Sequence, residues 1–311
     1  MCAPALENEL AREVRAGLTA AGQKTLPCGL LYDDIGSALF EAITLLPEYG
    51  LARADARIIR AHAGQLAEML PRGLVVAELG SGSGVKTRAI LEALPTPVYF
   101  PIDLSRAALA RCVAELGALA AVEPIEATYL EGLGRAAARC APGQALLALF
   151  LGSTIGNFTP AEARAFLARW APLLGAGGGA LIAVDLKKNP AVLDAAYNDT
   201  QGVTAEFNLN VLRHINRALG ADFDLRAFRH DARYVAAEGR IEMHLTSLKA
   251  QRVMLAGRVL EFRTGETIHT ENSYKYEIAE FQTLARAAGF EARKCWTDDD
   301  RLFAVHYFAL S

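Results

Sequence analysis

The sequence predicts an α/β fold: a parallel β-sheet with helices on both faces, together with a second domain. Short, almost wholly apolar runs such as 74–79 alternate with helical patterns as far as residue 186, which is the rhythm of βαβ units. The rhythm breaks near Asn189, where helices and half-buried strands follow. Two closing strands, 291–297 and 302–309, then return to the core.

The composition is that of a globular protein with a full core. The chain has 311 residues, 52% of them hydrophobic, and a formal net charge of −3. No basic block predicts a nucleic-acid surface, and no apolar run is long enough for a membrane span or a leader peptide. The five cysteines lack Cys-x-x-Cys spacing and the six histidines are dispersed, so no metal site is expected. We therefore expect a cytoplasmic monomer with neither nucleic-acid nor membrane partners.

The segment before the sheet is predicted to be helical. Leu10, Val14 and Leu18 continue a four-residue spacing that predicts a first helix ending near Gly22. Ser37 is the expected N-cap of a second helix. The aromatic residues of this segment are most simply explained as core or lid packing; they are Tyr32, Phe40 and Tyr49.

The remaining elements follow in order along the chain. The expected helices are 58–70, 85–94, 106–119, 133–139, 160–172, 190–198, 204–219 and 277–288. The expected strands before the closing pair are 74–79, 97–102, a weak strand at 126–130, 146–151, 179–186, 241–246 and a run with a turn at Gly257 over 252–262. The late strands read as an insertion.

A glycine-rich loop follows the strand 74–79. Glu78 precedes glycines at 80, 82 and 84, and backbone without side chains can approach a nucleotide-like ligand closely. The NAD fingerprint needs a third glycine at its sixth position, where this sequence has Val85 or Thr87. The loop instead resembles the acidic-x-Gly-x-Gly-x-Gly motif of class I S-adenosylmethionine-dependent methyltransferases.

Asp103 ends the next apolar strand, about twenty residues beyond the glycines. A carboxylate at this place can accept hydrogen bonds from both ribose hydroxyls of an adenosine. Both NAD and S-adenosylmethionine carry that ribose, so Asp103 does not separate them. The alternative explanation is that Asp103 caps the helix that starts near Ser105.

Two further polar stretches stand out. The motif Gly152–Asn157 lies at the carboxyl end of a parallel strand, where open α/β sheets bind ligands. Thr159 and Pro160 are explained as the start of a helix, which leaves Asn157 unexplained. For Glu271, an exposed loop carboxylate is the default interpretation.

Several motifs together resemble one family, the histidine N-alpha-methyltransferases of ergothioneine biosynthesis, over nearly the whole chain. They are Tyr32–Ser37 with Leu46–Tyr49, Phe150–Asn157 and Arg240–Met243. The resemblance implies a class I methyltransferase core, 58–189 with 282–311, and a substrate-binding domain, 1–57 with 190–281. It implies that the last two strands of the core form an antiparallel hairpin that closes a Rossmann-like parallel sheet. It also implies three successive methylations of the α-amine of L-histidine, giving hercynine, with S-adenosylmethionine and no metal.

The resemblance also implies roles for individual residues. Asn157 and Tyr197 would hold the substrate carboxylate, and Glu271 with Ser273 would bind the imidazole beside Met243. The amine and methyl-transfer chamber would be lined by Tyr32, Phe40 and Tyr49; Tyr32, Phe40 and Asn157 would be the catalytic residues. The residues implied for S-adenosylmethionine are Gly80, Ser81, Gly82, Lys86, Asp103, Glu131 and Gly152.

Two positions depart from the family pattern. Gly50 stands where a second tyrosine is usual, which would alter the mouth of the chamber. Leu130-Glu131-Gly132 replaces the usual Gly-Asp-aromatic stretch at the adenine, where Glu131 would substitute for the aspartate.

Three alternatives remain open from the sequence. The same fold could methylate another amino acid or an aromatic amine, because few pocket residues decide specificity. A nicotinamide dehydrogenase is disfavoured by the missing third glycine, and a non-catalytic S-adenosylmethionine sensor by the intact set of substrate residues.

Overall fold

The computed structural model describes residues 3–95 and 97–310, with side chains from residue 10 onward. Met1, Cys2, Thr96 and Ser311 lie outside the described residues. The chain divides into two compact units. The core unit comprises 51–187 with 274–311, and the accessory unit comprises 1–50 with 188–273.

The helices and strands are numbered here in chain order. The helices are α1 (Ala3–Leu18), α2 (Asp34–Leu45), α3 (Leu51–Met69), α4 (Arg88–Ala93), α5 (Arg106–Leu116), α6 (Tyr129–Ala137), α7 (Pro160–Ala168), α8 (Ala171–Leu174), α9 (Pro190–Tyr197), α10 (Val203–Leu219) and α11 (Ile278–Arg286). The strands are β1 (Lys24–Thr25), β2 (Val75–Leu79), β3 (Val98–Asp103), β4 (Ala121–Val122), β5 (Ile125–Glu126), β6 (Leu146–Phe150), β7 (Gly179–Asp185), β8 (Phe228–Val235), β9 (Arg240–Ser247), β10 (Gln251–Leu255), β11 (Arg258–Phe262), β12 (Thr267–Tyr274), β13 (Phe290–Thr297) and β14 (Phe303–Leu310).

The core unit is built on one twisted sheet. Its strands lie in the order β13-β14-β7-β6-β2-β3-β4, with β5 also paired to β3. The strands from β7 to β4 run parallel, whereas β14 is antiparallel to both β7 and β13. The predicted parallel sheet and closing hairpin are therefore confirmed.

The central strands of this sheet are buried on both faces. Every residue of β2, β6 and β7 is buried, which explains why these strands read as continuous apolar runs rather than alternating ones. Phe150 and Trp170 are among the fully buried side chains of the core. Each such side chain stabilises the fold by about 1.5–3 kcal/mol relative to an exposed one.

One predicted strand of the core unit was wrong. The segment 126–130 forms only the end of the two-residue strand β5, and α6 already begins at Tyr129. The main chain of this region instead pairs with β3 over two short stretches, at β4 and at β5. Thr128 precedes the helix in extended conformation, which moves the helix start four residues ahead of the predicted one.

The accessory unit contains a four-stranded sheet in the order β1-β12-β9-β8 and a separate hairpin of β10 and β11. The strand predicted at 241–246 and the turn at Gly257, which has φ +78°, are confirmed. Strands β8 and β12 were not predicted. Both are rich in polar residues and lack a clean alternation of apolar and polar side chains, so periodicity could not reveal them.

The predicted starts of α2 and α3 were also wrong. The N-cap of α2 is Asp33, whose carboxylate accepts from the Gly36 amide at 2.7 Å, and Ser37 lies inside the helix. Helix α3 begins at Leu51 instead of residue 58, because the buried face of the helix continues back to Leu51. The predicted cap at Thr159 is confirmed as a capping box with Glu162.

None of the helices within the described residues is both long and apolar enough to cross a membrane.

Candidate active site

The glycine loop lies at the carboxyl end of β2 in the core unit. Gly80, Gly82 and Gly84 have φ values of +71°, +52° and +71°, a left-handed conformation that favours glycine. A Cβ at Gly84 would lie 2.7 Å from both Cys112 Sγ and Leu116 Cδ1, so this glycine permits close packing on α5. A Cβ at Gly82 would meet nothing within 4 Å, so the space above that residue is open.

Asp103 is tied to this loop. Its Oδ2 accepts from the Gly82 amide at 3.0 Å, and its Oδ1 accepts from the Ser105 amide at 2.9 Å. The N-cap of α5 is Ser105, whose hydroxyl accepts from the Ala108 amide, so the cap does not explain Asp103. An ionised carboxylate has about four lone-pair sites, and Asp103 therefore retains acceptor capacity for ribose hydroxyls.

The buried carboxyl of Glu78 lies beneath the loop. Its Oε2 accepts from the Thr87 hydroxyl at 2.6 Å and from the Tyr99 hydroxyl. Burial disfavours the charged form, while these two hydrogen bonds and the nearby Lys86 favour it. The net effect raises the pKa of Glu78 to about 7.

Lys86 and Gly152 meet at a third acid, which sequence reasoning missed. Asp55 Oδ2 accepts from Lys86 Nζ at 3.2 Å and from the Gly152 amide at 2.8 Å. Gly152 has φ +73° and Ser153 follows with φ +62°, so the turn after β6 is left-handed at two successive residues. Ser153 is held in turn by the amide of Asp185, which donates to its hydroxyl.

The remaining residues implied for the cofactor differ in setting. The Ser81 hydroxyl is buried without a hydrogen-bond partner in the part of the chain that the structure describes. Glu131 lies in the first turn of α6, with its side chain 61% exposed and 3.8 Å from Arg135. Tyr129, which was not predicted, lies against the loop, since a Cβ on Gly80 would be 3.4 Å from its Cε1.

These features fit a nucleoside ligand with a charged tail. The loop offers open backbone at Gly82 and an unpaired hydroxyl at Ser81. Asp103 offers acceptors for hydroxyl groups, and Lys86 offers a cation. No group of three His, Cys, Asp or Glu side chains within residues 10–95 and 97–310 could hold a metal ion.

An aromatic cluster lies in the accessory unit. The centroid of the Tyr32 ring lies 5.6 Å from that of Phe40 and 5.4 Å from that of Phe207. The centroid of the Tyr49 ring lies 6.2 Å from that of Phe40 and 6.1 Å from that of Tyr197, and these four pairs are edge-to-face. Phe40 and Phe207 also lie 6.0 Å apart, in a tilted arrangement. The structure therefore brings together the predicted chamber residues, with Phe207 of α10 as an addition that sequence reasoning missed.

Polar groups border the aromatic cluster. The Tyr32 hydroxyl and the Cys28 thiol donate to Glu271 Oε1 at 3.2 and 3.3 Å. The Tyr197 hydroxyl donates to Ser273 Oγ at 2.8 Å. Glu271 and Ser273 are only 7% and 5% exposed, and both lie on β12. The default interpretation of Glu271 as an exposed loop carboxylate was therefore wrong.

Met243 and Asn157 complete the predicted set. Met243 lies on β9 in the accessory unit, is buried, and accepts a hydrogen bond through its carbonyl from the Thr270 hydroxyl. Asn157 ends a 3₁₀ turn, Thr154–Asn157, in the core unit and is half-buried. Its predicted contact with a substrate carboxylate stays a prediction.

The comparisons with known proteins agree over the whole chain. Residues 10–310 match the family described as histidine-specific methyltransferase, SAM-dependent. The chain is 40% identical to the histidine N-alpha-methyltransferase of Mycolicibacterium smegmatis, over 96% of this chain and 94% of that protein. It is 39% identical to the histidine N-alpha-methyltransferase of Mycobacterium tuberculosis, over 93% and 91%. It is 34% identical to ergothioneine biosynthesis protein 1 of Neurospora crassa, over 93% of this chain but only 34% of that protein.

Proposed function

The chain belongs to the family of histidine-specific, S-adenosylmethionine-dependent methyltransferases, and from this we propose that it trimethylates the α-amine of L-histidine to hercynine. The observation that carries the proposal is the convergence of four predicted substrate residues, Tyr32, Tyr197, Glu271 and Ser273, in the accessory unit. Tyr32 donates to Glu271 and Tyr197 donates to Ser273, so residues far apart in sequence form one polar and aromatic lining. Such a lining suits an aromatic amino acid that is polar at both ends.

We assign the cofactor residues to parts of S-adenosylmethionine by their chemistry. Asp103 would accept from the ribose hydroxyls, and the loop from Gly80 to Gly82 would lie along the nucleoside. Lys86 would bind the carboxylate, which is the one anionic group of this cofactor at neutral pH. When bound, S-adenosylmethionine supplies a methyl group from its sulfonium, so that an N–C bond forms as an S–C bond breaks.

The accessory unit would position the amine and exclude water from it. Holding the amine in the reacting orientation supplies much of the acceleration in such a transfer. The amine loses one proton for each of the three methyl groups and ends as a quaternary cation. Tyr32, Phe40 and Tyr49 can stabilise that growing cation by cation–π attraction without competing as nucleophiles.

Substrate choice would rest on hydrogen bonds to the two polar ends of histidine. Glu271 can accept from a ring N–H, and Ser273 can donate to or accept from the other ring nitrogen. A site built to bond an N–H rejects substrates that lack one, because its own buried group is then unpaired. Asn157 and Tyr197 would hold the carboxylate.

Monomeric, cytoplasmic action also belongs to the proposal, and light scattering after size exclusion measures the oligomeric state.

The decisive experiment is incubation of the purified protein with S-adenosylmethionine and a panel of amino acids and aromatic amines. Mass spectrometry should show a gain of three methyl groups on histidine and little gain on the others. A Phe40→Ala variant, which opens the aromatic cluster, serves as a comparison that should slow the transfer. No trimethylated histidine, or faster methylation of another amine, would refute the proposal.

A further inference from the structure

Asp55 lies wholly buried on α3 in the core unit, outside the set of residues that the sequence predicted for the site. A single oxygen of this carboxylate, Oδ2, accepts from Lys86 Nζ at 3.2 Å and from the Gly152 amide at 2.8 Å. Asp55 thus joins three separate segments: the helix α3, the loop after β2 and the turn after β6. Both of the groups that it holds are at the predicted cofactor site.

The position of Lys86 also depends on the absence of a side chain at Gly152. A Cβ on that glycine would lie 3.1 Å from Lys86 Nζ, which is closer than most real Cβ contacts. The absence of a side chain at Gly152 therefore leaves room beside this turn for the Lys86 ammonium, which donates to Asp55. The Lys86 side chain remains 34% exposed, so it can still meet a ligand.

Fold stability gives a poor account of this acid. Asp55 Oδ1 is buried and has no hydrogen-bond partner within residues 3–95 and 97–310. A buried carboxylate with one oxygen unpaired is costly, and a buried ion pair is weak evidence for stabilisation. Replacing a buried ion pair with uncharged residues of similar volume is often neutral or stabilising. The negative charge is better explained by what it does to Lys86.

We propose that Asp55 is a positioning residue of the cofactor site, which fixes Lys86 so that its ammonium meets the carboxylate at the amino-acid end of S-adenosylmethionine. This inference rests on the assignment of Lys86 in the proposed function. A lysine is a compact charge on a flexible stem, and much of its binding energy is lost if the stem must be ordered on binding. The tie to Asp55 orders it in advance.

Two ligands and one conservative substitution test the role. Asp55→Asn removes the charge but keeps an acceptor for the Gly152 amide. S-Adenosylhomocysteine carries the amino-acid end, whereas 5′-methylthioadenosine lacks it. By calorimetry, Asp55→Asn should lower the affinity for S-adenosylhomocysteine by about 5- to 50-fold and change the affinity for 5′-methylthioadenosine by less than about 2-fold. Thermal unfolding of the free variant should be unchanged or shifted upward.

Lys86→Met is the matched comparison. It should lower the affinity for S-adenosylhomocysteine, which has the carboxylate, and leave the affinity for 5′-methylthioadenosine almost unchanged. If Asp55 acts through Lys86, the double variant should bind S-adenosylhomocysteine no more weakly than Lys86→Met alone.

Three results would overturn the inference. Equal losses for both ligands, or additive losses in the double variant, would mean that Asp55 does not act through Lys86. A variant that fails to fold would place Asp55 in the scaffold. If the unaltered protein binds neither ligand, the proposed cofactor itself is refuted, and this outcome is distinct from the other three.

Discussion

At the scale of single residues, Glu271 is the side chain expected to decide specificity. It is buried, and it already accepts from Tyr32 and Cys28 through Oε1. Glu271→Ala should lower kcat/KM for histidine by about 10- to 150-fold, or about 1–3 kcal/mol, since a ring N–H then lacks its acceptor. Phenylalanine has no ring N–H to donate to that acceptor, so its use relative to histidine should rise. Steady-state kinetics with each amino acid measures the ratio.

Cys28→Ala is the control for this experiment. It removes one donor from the same oxygen but leaves the acceptor in place, so histidine kinetics should change little. If Glu271→Ala reduced kcat/KM equally for histidine and for phenylalanine, with circular dichroism unchanged, Glu271 would have a structural role.

A second prediction at this scale concerns the cofactor. Asp103→Ala should weaken S-adenosylhomocysteine by about 1.5–3 kcal/mol, because charge-assisted hydrogen bonds to the ribose are lost. Ser105→Ala is the matched control, since Ser105 is the helix cap next to Asp103. It should cost about 0.5–2 kcal/mol of stability and leave the cofactor affinity almost unchanged. Titration calorimetry and thermal unfolding separate the two effects, and an unaltered affinity in a folded Asp103→Ala would contradict the ribose assignment.

The sequence and the family resemblance together named most residues of the candidate site, but not Asp55, Tyr129 or Phe207. An acid on the same helical stripe as Leu51, Ile58 and Ile59 is a signal that the sequence contains. That signal was hidden because the helix was predicted to start at residue 58, which left Asp55 in a loop where an acid is unremarkable. Glu271 could be named only through the family resemblance, because its strand β12 has no regular alternation of apolar and polar side chains.

At the scale of elements, the entry into α2 depends on one glycine. A Cβ on Gly36 would lie 1.7 Å from the carbonyl oxygen of Leu31, so alanine there must displace the backbone. Gly36→Ala should therefore lower the free energy of unfolding by about 1–3 kcal/mol or more. Since α2 carries Phe40, methylation of histidine should fall with it.

Gly29→Ala provides the comparison, because a Cβ there would meet nothing within 4 Å and Gly29 has no positive φ. Its stability should stay within about 0.5 kcal/mol of the unaltered protein. Urea unfolding followed by circular dichroism measures both variants. Equal stability of the two would show that the chain around Leu31 moves freely to accept a side chain.

The strands most readily predicted from the sequence are those buried on both faces. The strands of the parallel sheet, such as β6 and β7, are buried on both faces and are therefore apolar throughout, which makes them easy to recognise. The strands of the accessory sheet combine buried polar residues such as Thr270 with exposed ones. Strand β12 pairs with β1, which lies far away in sequence, and local patterns carry no information about such a partner.

At the scale of the whole molecule, each unit carries a different part of the proposed chemistry. The predicted nucleoside and carboxylate contacts from Gly80 to Asp103 lie in the core unit. The predicted imidazole and amine contacts lie in the accessory unit, which is assembled from two distant stretches of chain. The predicted domain bounds place residues 51–57 with the substrate residues, whereas α3 is one continuous helix of the core unit. The functional division itself stays a proposal.

The pH dependence of stability should report Glu78. Its carboxyl ionises near pH 4.5 in an unfolded chain, and burial raises its pKa to about 7 in the folded protein. Between these pH values the folded protein retains a proton that the unfolded chain has lost. The contribution of Glu78 to stability therefore falls as the pH rises from 4.5 to 7, and the cost is complete above pH 7. A shift of this size corresponds to about 3 kcal/mol.

Glu78→Gln should remove this dependence while an amide oxygen still accepts from Thr87 and Tyr99. Burial lowers the pKa of His306 to about 4, which destabilises the fold as the pH falls from 6.5 to 4. That effect is common to both proteins and cancels in their difference. Relative to the unaltered protein, Glu78→Gln should therefore gain about 2.5 kcal/mol between pH 5 and pH 8, measured by urea unfolding. Glu92→Gln, at an exposed position, should run parallel to the unaltered protein. A Glu78→Gln difference that stays constant with pH would mean that Glu78 is charged throughout this range.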